Sequence, residues 1–290
     1  MPKRSASTEN TRSGSGPLGR GPFLRSVRRR IGGDEGSFPF SVPAIRSLEG
    51  LDLSAPVTFF VGENGSGKST VLEAIAAAAR LPTVGSDDVL ADGTLAAQRA
   101  LADALQLVWG RRTRKGFFLR AEDFFGFTKR LAVMRAELQA RMAEIEVEYA
   151  DRSAYSKGLA AGPVRSSLAA LETRYGLDLD ANSHGQSFLK LFRSRLVPGG
   201  LYLMDEPEAP LSPQSQLGLM AMIADMVAEE AQFIIATHSP ILLAYPGARI
   251  VSFDEIPVKP VVFEELESVR LVREFLAAPE RYLRGIVPQG

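Results

Sequence analysis

One nine-residue stretch, 62–70, constrains the fold of this chain more than any other. Its sequence is Gly62-Glu63-Asn64-Gly65-Ser66-Gly67-Lys68-Ser69-Thr70. An apolar run, Val57–Val61, precedes it, and an alanine-rich run begins at Val71. This order predicts a strand, a glycine loop and a helix, the context in which the pattern G-x-x-x-x-G-K-[ST] forms a phosphate-binding P-loop. Such a loop holds a polyphosphate on inward-pointing backbone N–H groups and on the positive end of the helix dipole.

The side chains of the loop indicate what it binds. Lys68 is long enough to reach the β- and γ-phosphates of a nucleoside triphosphate, and the hydroxyl of Ser69 is a ligand type that suits Mg²⁺. We therefore expect every residue from Gly62 to Thr70 to contribute to nucleotide binding, with ATP and Mg²⁺ as the cofactors. Lys68 is also expected to assist catalysis, because its charge neutralises the transferred phosphoryl group.

A second motif, Leu201–Glu206, consists of four apolar residues followed by two acids. This is the Walker B pattern, in which a buried strand delivers acidic side chains to its carboxyl end. Asp205 is expected to hold Mg²⁺, directly or through water. Glu206 is expected to orient or deprotonate the attacking water.

Two further polar turns are candidate parts of the same site. Thr237-His238-Ser239-Pro240 follows the apolar run Phe233–Ala236, and a histidine there is placed to donate a hydrogen bond to the γ-phosphate. The turn Ser183-His184-Gly185-Gln186 opens a predicted helix. Its residues Ser183, Gly185 and Gln186 either form an ordinary helix N-cap or supply a second phosphate-binding helix N-terminus.

Composition narrows the class of protein. The 290 residues contain no cysteine and two histidines, which excludes thiolate chemistry and disulfides and makes a histidine-built metal site improbable. No apolar run reaches membrane-spanning length, so we expect a cytoplasmic protein without membrane insertion. Residues 1–30 carry a net charge of +7, and because the whole chain is balanced, the rest carries −7. Residues 1–22 are expected to form a disordered basic tail.

The remaining pattern predicts an α/β fold with one ATPase domain over 23–290. Short β-prone pieces between Phe23 and Leu53 suggest an N-terminal antiparallel β-layer, with Pro39 and Pro43 in an edge strand. Apolar runs alternate with helical segments after residue 182, as in a mostly parallel sheet. A helical insertion is expected over about 83–181. Its predicted helices are Leu95–Trp109, Leu131–Tyr149 and, after a break at Ala161-Gly162-Pro163, Ser166–Tyr175.

Together these motifs resemble the ATP-binding-cassette superfamily. In that family a signature of the form Ser-Gly-Gly-Gln docks on the ATP held by the P-loop of a partner, so that a head-to-tail dimer encloses two nucleotides. The resemblance implies that Ser183, Gly185 and Gln186 match the signature, that Glu206 is the catalytic base, and that His238 is the switch histidine. It covers about residues 37–80 and 182–255.

The chain also departs from the transporter members of that superfamily. Asn182 replaces their usual leucine, His184 replaces the first signature glycine, and the segment after Glu206 lacks their aspartate. The stretch Phe118–Phe125 takes the place of their glutamine segment, with Glu122 as the nearest polar candidate. These features look more like the stand-alone ATPases related to RecF, SMC and overcoming-lysogenization-defect proteins, which are often described as AAA-family ATPases.

The expected function is that of an ATP-hydrolysing switch that works as a nucleotide-sandwiched dimer. Three alternatives stay open: an ATP-binding subunit that energises a transporter, a small-molecule kinase, and a regulatory module that hydrolyses ATP poorly. A protein partner is expected to contact the 83–181 block. DNA is a possible partner through two basic patches, the N-terminal tail and Arg111–Lys115.

Overall fold

The computed structural model describes residues 21–30, 35–84, 96–175 and 184–284. The predicted basic tail lies almost entirely outside these ranges, and its boundary stays a prediction. The strands are β1 (Leu24–Arg29), β2 (Gly50–Asp52), β3 (Val57–Val61), β4 (Leu105–Trp109), β5 (Gly116–Arg120), β6 (Leu201–Asp205), β7 (Gln232–Ala236), β8 (Arg249–Ser252) and β9 (Lys259–Val261).

Ten α-helices occur in the described parts of the chain. They are α1 (Pro43–Arg46), α2 (Lys68–Ala79), α3 (Ala96–Ala104), α4 (Ala121–Glu148), α5 (Ala154–Tyr175), α6 (His184–Arg195), α7 (Pro213–Ala228), α8 (Pro240–Leu243), α9 (Glu267–Ala277) and α10 (Pro279–Leu283). None of the helices in these ranges is both long and apolar enough to cross a lipid bilayer.

A six-stranded sheet in the order β5-β6-β7-β3-β8-β9 forms the centre of the molecule. Its first five strands run parallel, and β9 pairs antiparallel with β8. The chain therefore has the predicted α/β fold with a mostly parallel sheet. The carboxyl ends of β3, β6 and β7 lie at one edge, where α/β proteins place their ligands.

Alternating side chains of the central strands point to opposite faces of the sheet, and each face packs in a separate hydrophobic core. Phe60 and Leu203 pack with the P-loop helix and the N-terminal strands on one face. Phe59 and Tyr202 pack on the other face with residues of α6 and α7, among them Phe188. Burial of both faces explains why the central strands are continuous apolar runs.

The predicted N-terminal β-layer is present as an antiparallel sheet in the order β2-β1-β4. A buried glutamine, Gln232 at the start of β7, ties this layer to the parallel sheet. Its amide donates to the carbonyl oxygens of Leu24 (2.8 Å) and Leu53 (2.7 Å) and accepts from the Leu24 N–H (2.9 Å). The two sheets are therefore joined by hydrogen bonds as well as by the apolar core.

Three local predictions are wrong. Leu95–Trp109 was expected to be one helix, but Leu105–Trp109 is strand β4, because its alternating residues pair with β1. The expected edge strand around Pro39 and Pro43 is absent from the described residues there, since Pro43 starts the short helix α1. The expected break at 161–163 does not occur.

Helix α5 continues through Pro163, where the proline ring removes one backbone hydrogen bond. Packing against α4 offsets that loss, and Ala161 is buried. Helices α4 and α5 form an antiparallel hairpin, in which Arg135 pairs with Glu172 and Lys157 with Glu146. Helix α4 buries Leu131 and Ile145. The helical part of the 83–181 block is thus mainly α3 and this hairpin, while β4 and β5 from the same block pair with strands outside it.

Candidate active site

The P-loop has the geometry that its glycines predict. Helix α2 begins at Lys68, and Gly67 before it has a φ of 102°, in the left-handed region that favours glycine. A Cβ atom on Gly67 would lie 3.1 Å from Cγ1 of Val42, which is tighter than ordinary van der Waals contact. Local backbone shape and the packed neighbour at α1 therefore both require glycine at this position.

Lys68 lies inside the loop and is almost fully buried. Its Nζ donates to the carbonyl oxygens of Gly62 (2.6 Å) and Glu63 (2.7 Å). Burial lowers the pKa of Lys68, and nearby carboxylates, led by Asp254 and Glu206, oppose that shift. The ammonium group therefore lies among several carboxylates. When a nucleotide binds, phosphate oxygens can replace the loop carbonyl oxygens as its hydrogen-bond acceptors.

Asp205, at the carboxyl end of β6, meets the first turn of α2. The hydroxyl of Ser69 donates to its Oδ1 at 3.0 Å. Burial raises the pKa of Asp205 to about 7, with Glu73 and Glu206 adding to the shift and the Ser69 bond and Arg120 opposing it. Two residues that are far apart in sequence thus present adjacent oxygen atoms beside the P-loop.

These oxygen atoms fit Mg²⁺. Magnesium prefers hard oxygen ligands and completes its shell with waters and substrate phosphates, so one carboxylate and one hydroxyl are a sufficient protein contribution. Burial and the neighbouring carboxylates of Glu73 and Glu206 disfavour the charged form of Asp205, and a bound cation would favour it. Asp205 and Ser69 are therefore the residues that would hold the ion, which would neutralise phosphate charge when bound.

Glu206 and His238 lie next to each other at the ends of neighbouring strands. Strand β7 pairs in parallel with β6, and His238 Nε2 lies 3.8 Å from Glu206 Oε1. Glu206 has a φ of 49°, which is uncommon for a non-glycine residue. Its N–H donates to the carbonyl oxygen of Ala236 (2.9 Å), which holds this backbone in place. Such locally strained residues often occur at functional sites.

Two acidic residues outside the sequence motifs support these groups. A carboxylate oxygen of Glu208 accepts from the backbone N–H of His238 (2.8 Å). Asp254 follows β8 and accepts from the backbone N–H of Glu63 (2.7 Å). The available signal was the position of an acid directly after a buried strand, which Asp254 shares with Asp205.

A buried ion pair lies behind the Walker B aspartate. Arg120, the last residue of β5, contacts Glu73 of the P-loop helix, with its Nε 2.9 Å from Oε1. Arg120 is also the register partner of Asp205 in the sheet. An arginine at the end of an aromatic-rich strand gives no sequence pattern that would identify this role.

Other predicted site residues lie partly or wholly outside the described parts of the chain. Ser183 is not among the described residues, and nothing is described of the side chain of Glu122. His184 and Gly185 form the beginning of helix α6, and Gln186 is exposed in its first turn. The roles of the signature residues therefore stay predictions.

A cavity of about 320 Å³ opens beside the loop. It is lined by Gly62, Glu63, His238 and Asp254, and by residues at the start of α9. Of the candidate catalytic residues, His238 thus borders a space next to the P-loop.

Two family models match separate parts of this chain. A model described as "AAA domain" matches residues 36–81, which include the P-loop and the strand before it. A model described as "AAA domain, putative AbiEii toxin, Type IV TA system" matches residues 187–244, which include β6, β7 and His238. The two matches cover the two halves of the candidate site.

The curated relatives are much longer proteins. The chain is 27% identical over 236 residues to a multidrug efflux ATP-binding/permease protein of Mycobacterium bovis and equally to that of Mycobacterium tuberculosis. The matched region is 78% of this chain and 18% of the relative, so the chain spans under a fifth of the length of these proteins.

Solved structures with some similarity come from two kinds of ATPase. The Smc head domain of Pyrococcus furiosus, bound to the C-terminal domain of ScpA, has 13% identity and a TM-score of 0.43, covering 88% of this chain and 100% of that chain. A nucleotide-free ATP-binding cassette from an ABC transporter has 18% identity and a TM-score of 0.42, covering 84% and 93%. The P-loop, the Walker B strand and the two regions that resemble AAA domains thus meet in one site, and in these regions the chain is similar to P-loop ATPases of the AAA type.

Proposed function

We propose that this chain hydrolyses ATP and works as a switch that closes as a nucleotide-sandwiched dimer. The observation that carries the proposal is the convergence of Ser69, Asp205, Glu206 and His238 at one edge of the sheet, beside the P-loop. A P-loop alone supports only triphosphate binding. The carboxylate of Glu206 next to the P-loop can act as a general base toward water, which supports hydrolysis of ATP. Because the sequence contains no cysteine, the chain does not depend on disulfides and is compatible with a reducing compartment such as the cytoplasm.

The proposed step is an in-line attack of water on the γ-phosphorus. Lys68 leaves the carbonyl oxygens of Gly62 and Glu63 and binds the β- and γ-phosphate oxygens, which the loop N–H groups also contact. Glu206 orients the water and accepts its proton. As the new O–P bond forms, the bond between the γ-phosphorus and the bridging oxygen breaks, and ADP leaves with that oxygen.

His238 and a second copy of the chain complete the proposed site. His238 donates to the γ-phosphate, and its backbone is held by Glu208. The resemblance to the ATP-binding-cassette superfamily suggests that Ser183, Gly185 and Gln186 of the second copy contact the same nucleotide. The exposure of Gln186 in the first turn of α6 supports this assignment. Closing of the dimer would then move the α4–α5 hairpin toward or away from a protein partner.

The test is the substitution Glu206→Gln, which keeps the shape of the side chain and removes its basicity. We expect ATP turnover to fall by at least a hundredfold, since loss of a general base typically costs about 10²–10⁴ in rate. ATP affinity should be retained, so that sizing in the presence of ATP and Mg²⁺ shows an accumulated dimer.

Glu229→Gln is the matched control, because Glu229 is exposed beyond the C-terminal end of α7, next to the amino end of β7. It should leave turnover and sizing unchanged. Hydrolysis by Glu206→Gln at the wild-type rate would show that another group is the base. Loss of turnover without an ATP-dependent dimer would contradict the sandwich and leave the catalytic assignment standing.

One observation favours a second function. The 27% identity to ATP-binding/permease proteins covers 78% of this chain, which is compatible with a subunit that energises a transporter. The segment Pro207–Pro213 after Glu206 differs from the transporter pattern and argues against it. Purification of the tagged chain from detergent-solubilised membranes distinguishes the two: a stoichiometric membrane permease would support transport, and its absence would support the stand-alone switch.

A further inference from the structure

A larger cavity, of about 730 Å³, lies at the opposite end of helix α2 from the P-loop. Its walls come from the last turn of α2, including Ala77 and Ala78, and from α3 and β4. Helix α2 has 12 residues, so its two ends are separated by about 18 Å at 1.5 Å per residue. The cavity is therefore a separate site from the triphosphate site.

The rim of this cavity is strongly basic. Its charged lining residues are Arg30, Arg80, Arg99 and Arg112, with Asp103 as the acid among them. Arg30, Arg80 and Arg112 are exposed, and none of the three forms an ion pair with a carboxylate in the described ranges. Arg30, Arg80 and Arg112 thus line one cavity without a carboxylate partner among the described residues, and such guanidinium groups suit phosphate, which each can bind in a bidentate manner.

An aromatic side chain lines the same space. Trp109 ends strand β4 and is partly exposed, and it packs beside Leu107 against the hydrophobic core. A fixed aromatic ring next to arginines provides what a nucleotide requires, a surface for the base and cations for the phosphate. The volume lies in the range of ordinary small-ligand pockets.

The neighbouring basic turn contributes one arginine, Arg112, to the lining of this cavity. Arg111 pairs with Glu230 (2.9 Å) and lies over the ring of Phe23 (4.3 Å to the centroid). Lys115 donates from Nζ to the carbonyl oxygen of Pro198 (3.2 Å). These two charges of the Arg111–Lys115 patch are already engaged within the chain, whereas Arg112 faces the cavity.

We propose that this cavity binds a nucleotide unit, with its phosphate on Arg30, Arg80 and Arg112 and its base against Trp109. The unit comes either from a free nucleotide or from a single nucleic-acid strand. The proposal does not rest on ATP hydrolysis at the P-loop, because it concerns a different end of the molecule and a different set of residues.

Trp109 makes the test direct, since it is the sole tryptophan of the chain and its fluorescence reports on this cavity. The emission is titrated with AMP, with adenosine and with a single-stranded oligodeoxynucleotide, using the full chain with Lys68→Ala to suppress binding at the P-loop. We expect a saturable change with AMP or with the oligonucleotide, and at least tenfold weaker binding of adenosine.

Paired substitution of Arg80→Gln and Arg112→Gln should weaken that binding by at least tenfold. Arg114→Gln is the matched control, because Arg114 is exposed on the same basic turn and does not line the cavity. Binding of AMP identifies a free nucleotide as the source, and binding of the oligonucleotide alone identifies a strand. An unchanged emission with both probes would overturn the proposal, and so would adenosine binding as tightly as AMP or wild-type affinity in the paired arginine variant.

Discussion

Asp205 has a carboxylate whose ionisation the protein opposes through burial and through two neighbouring carboxylates, Glu73 and Glu206. Its pKa is raised to about 7, whereas the ordinary value is 3.8. The protonated form is thus favoured in the folded chain. Stability from this residue is fully present below pH 3.8, and it is lost as the pH rises to about 7.

This pH dependence leads to a prediction for the chain without nucleotide or Mg²⁺. Asp205→Asn should raise the free energy of unfolding at pH 8 by about 2–4 kcal/mol, because each unit of pKa shift corresponds to about 1.4 kcal/mol. Near pH 3.5 the variant and the wild type should be equally stable, since protonated aspartate is also neutral. Urea unfolding at both pH values measures the difference.

The control for this measurement is Asp225→Asn, an exposed acid on α7. It should shift neither curve by more than about 0.5 kcal/mol, as is usual for surface substitutions. Addition of Mg²⁺ and ATP should stabilise the wild type more than Asp205→Asn. An equal gain in both proteins would argue against Asp205 as the residue that holds the ion.

At the scale of elements, the junction between the two sheets depends on the Gln232 side chain. Its amide satisfies three backbone groups of β1 and of the segment before β3 at distances of 2.7–2.9 Å, and it is almost fully buried. An apolar replacement leaves those groups without partners in a dry environment. Each buried unsatisfied group costs about 1–3 kcal/mol.

We therefore predict that Gln232→Leu lowers the free energy of unfolding by about 3 kcal/mol or more. Denaturant unfolding monitored by far-UV circular dichroism is the measurement. Gln139→Leu on the exposed side of α4 serves for comparison and should change stability little. If Gln232→Leu is as stable as the wild type, apolar packing alone holds the two sheets together.

Strand β4 shows why some secondary-structure elements can be predicted from the sequence and others cannot. Apolar residues that follow a helical segment without a glycine or proline between them favour continuation of the helix, which is the conformation expected for Leu105–Trp109. Its actual conformation depends on pairing with β1, which lies about eighty residues earlier in the chain. Contiguous motifs such as Val57–Val61 and Leu201–Asp205 were correct because burial on both faces leaves a signal in the local sequence.

At the scale of the whole molecule, one ion pair links the helical hairpin to the nucleotide site. Arg120 is the N-cap residue of α4 and the last residue of β5, and it contacts Glu73 on the P-loop helix. We therefore expect a change at the phosphates that moves α2 to reach the base of the hairpin through this ion pair. This gives the 83–181 block a physical route to the site.

We predict that Arg120→Met abolishes the coupling between the nucleotide site and the helical hairpin. ATP binding should change hydrogen exchange in α4 of the wild type and leave α4 unchanged in the variant. The single substitution should also destabilise the fold by about 3 kcal/mol, because it leaves Glu73 buried without its cation. The double variant Arg120→Met with Glu73→Met should recover stability without recovering the exchange response. A wild-type response in that double variant would show that the coupling takes another route.

The P-loop, the Walker B strand and the α/β class could be predicted from the sequence, and so could the position of His238 at the end of a buried strand. Each of these depends on short-range patterns, namely glycines with positive φ, apolar runs and polar residues at strand ends. The tertiary structure alone decided which distant residues support them. Asp254 and Glu63 are 191 positions apart, and Glu208 and His238 are 30 apart. Such pairs depend on packing between distant parts of the chain. The arginine-lined cavity at the far end of α2 depends on the same packing, because its residues do not form a contiguous motif.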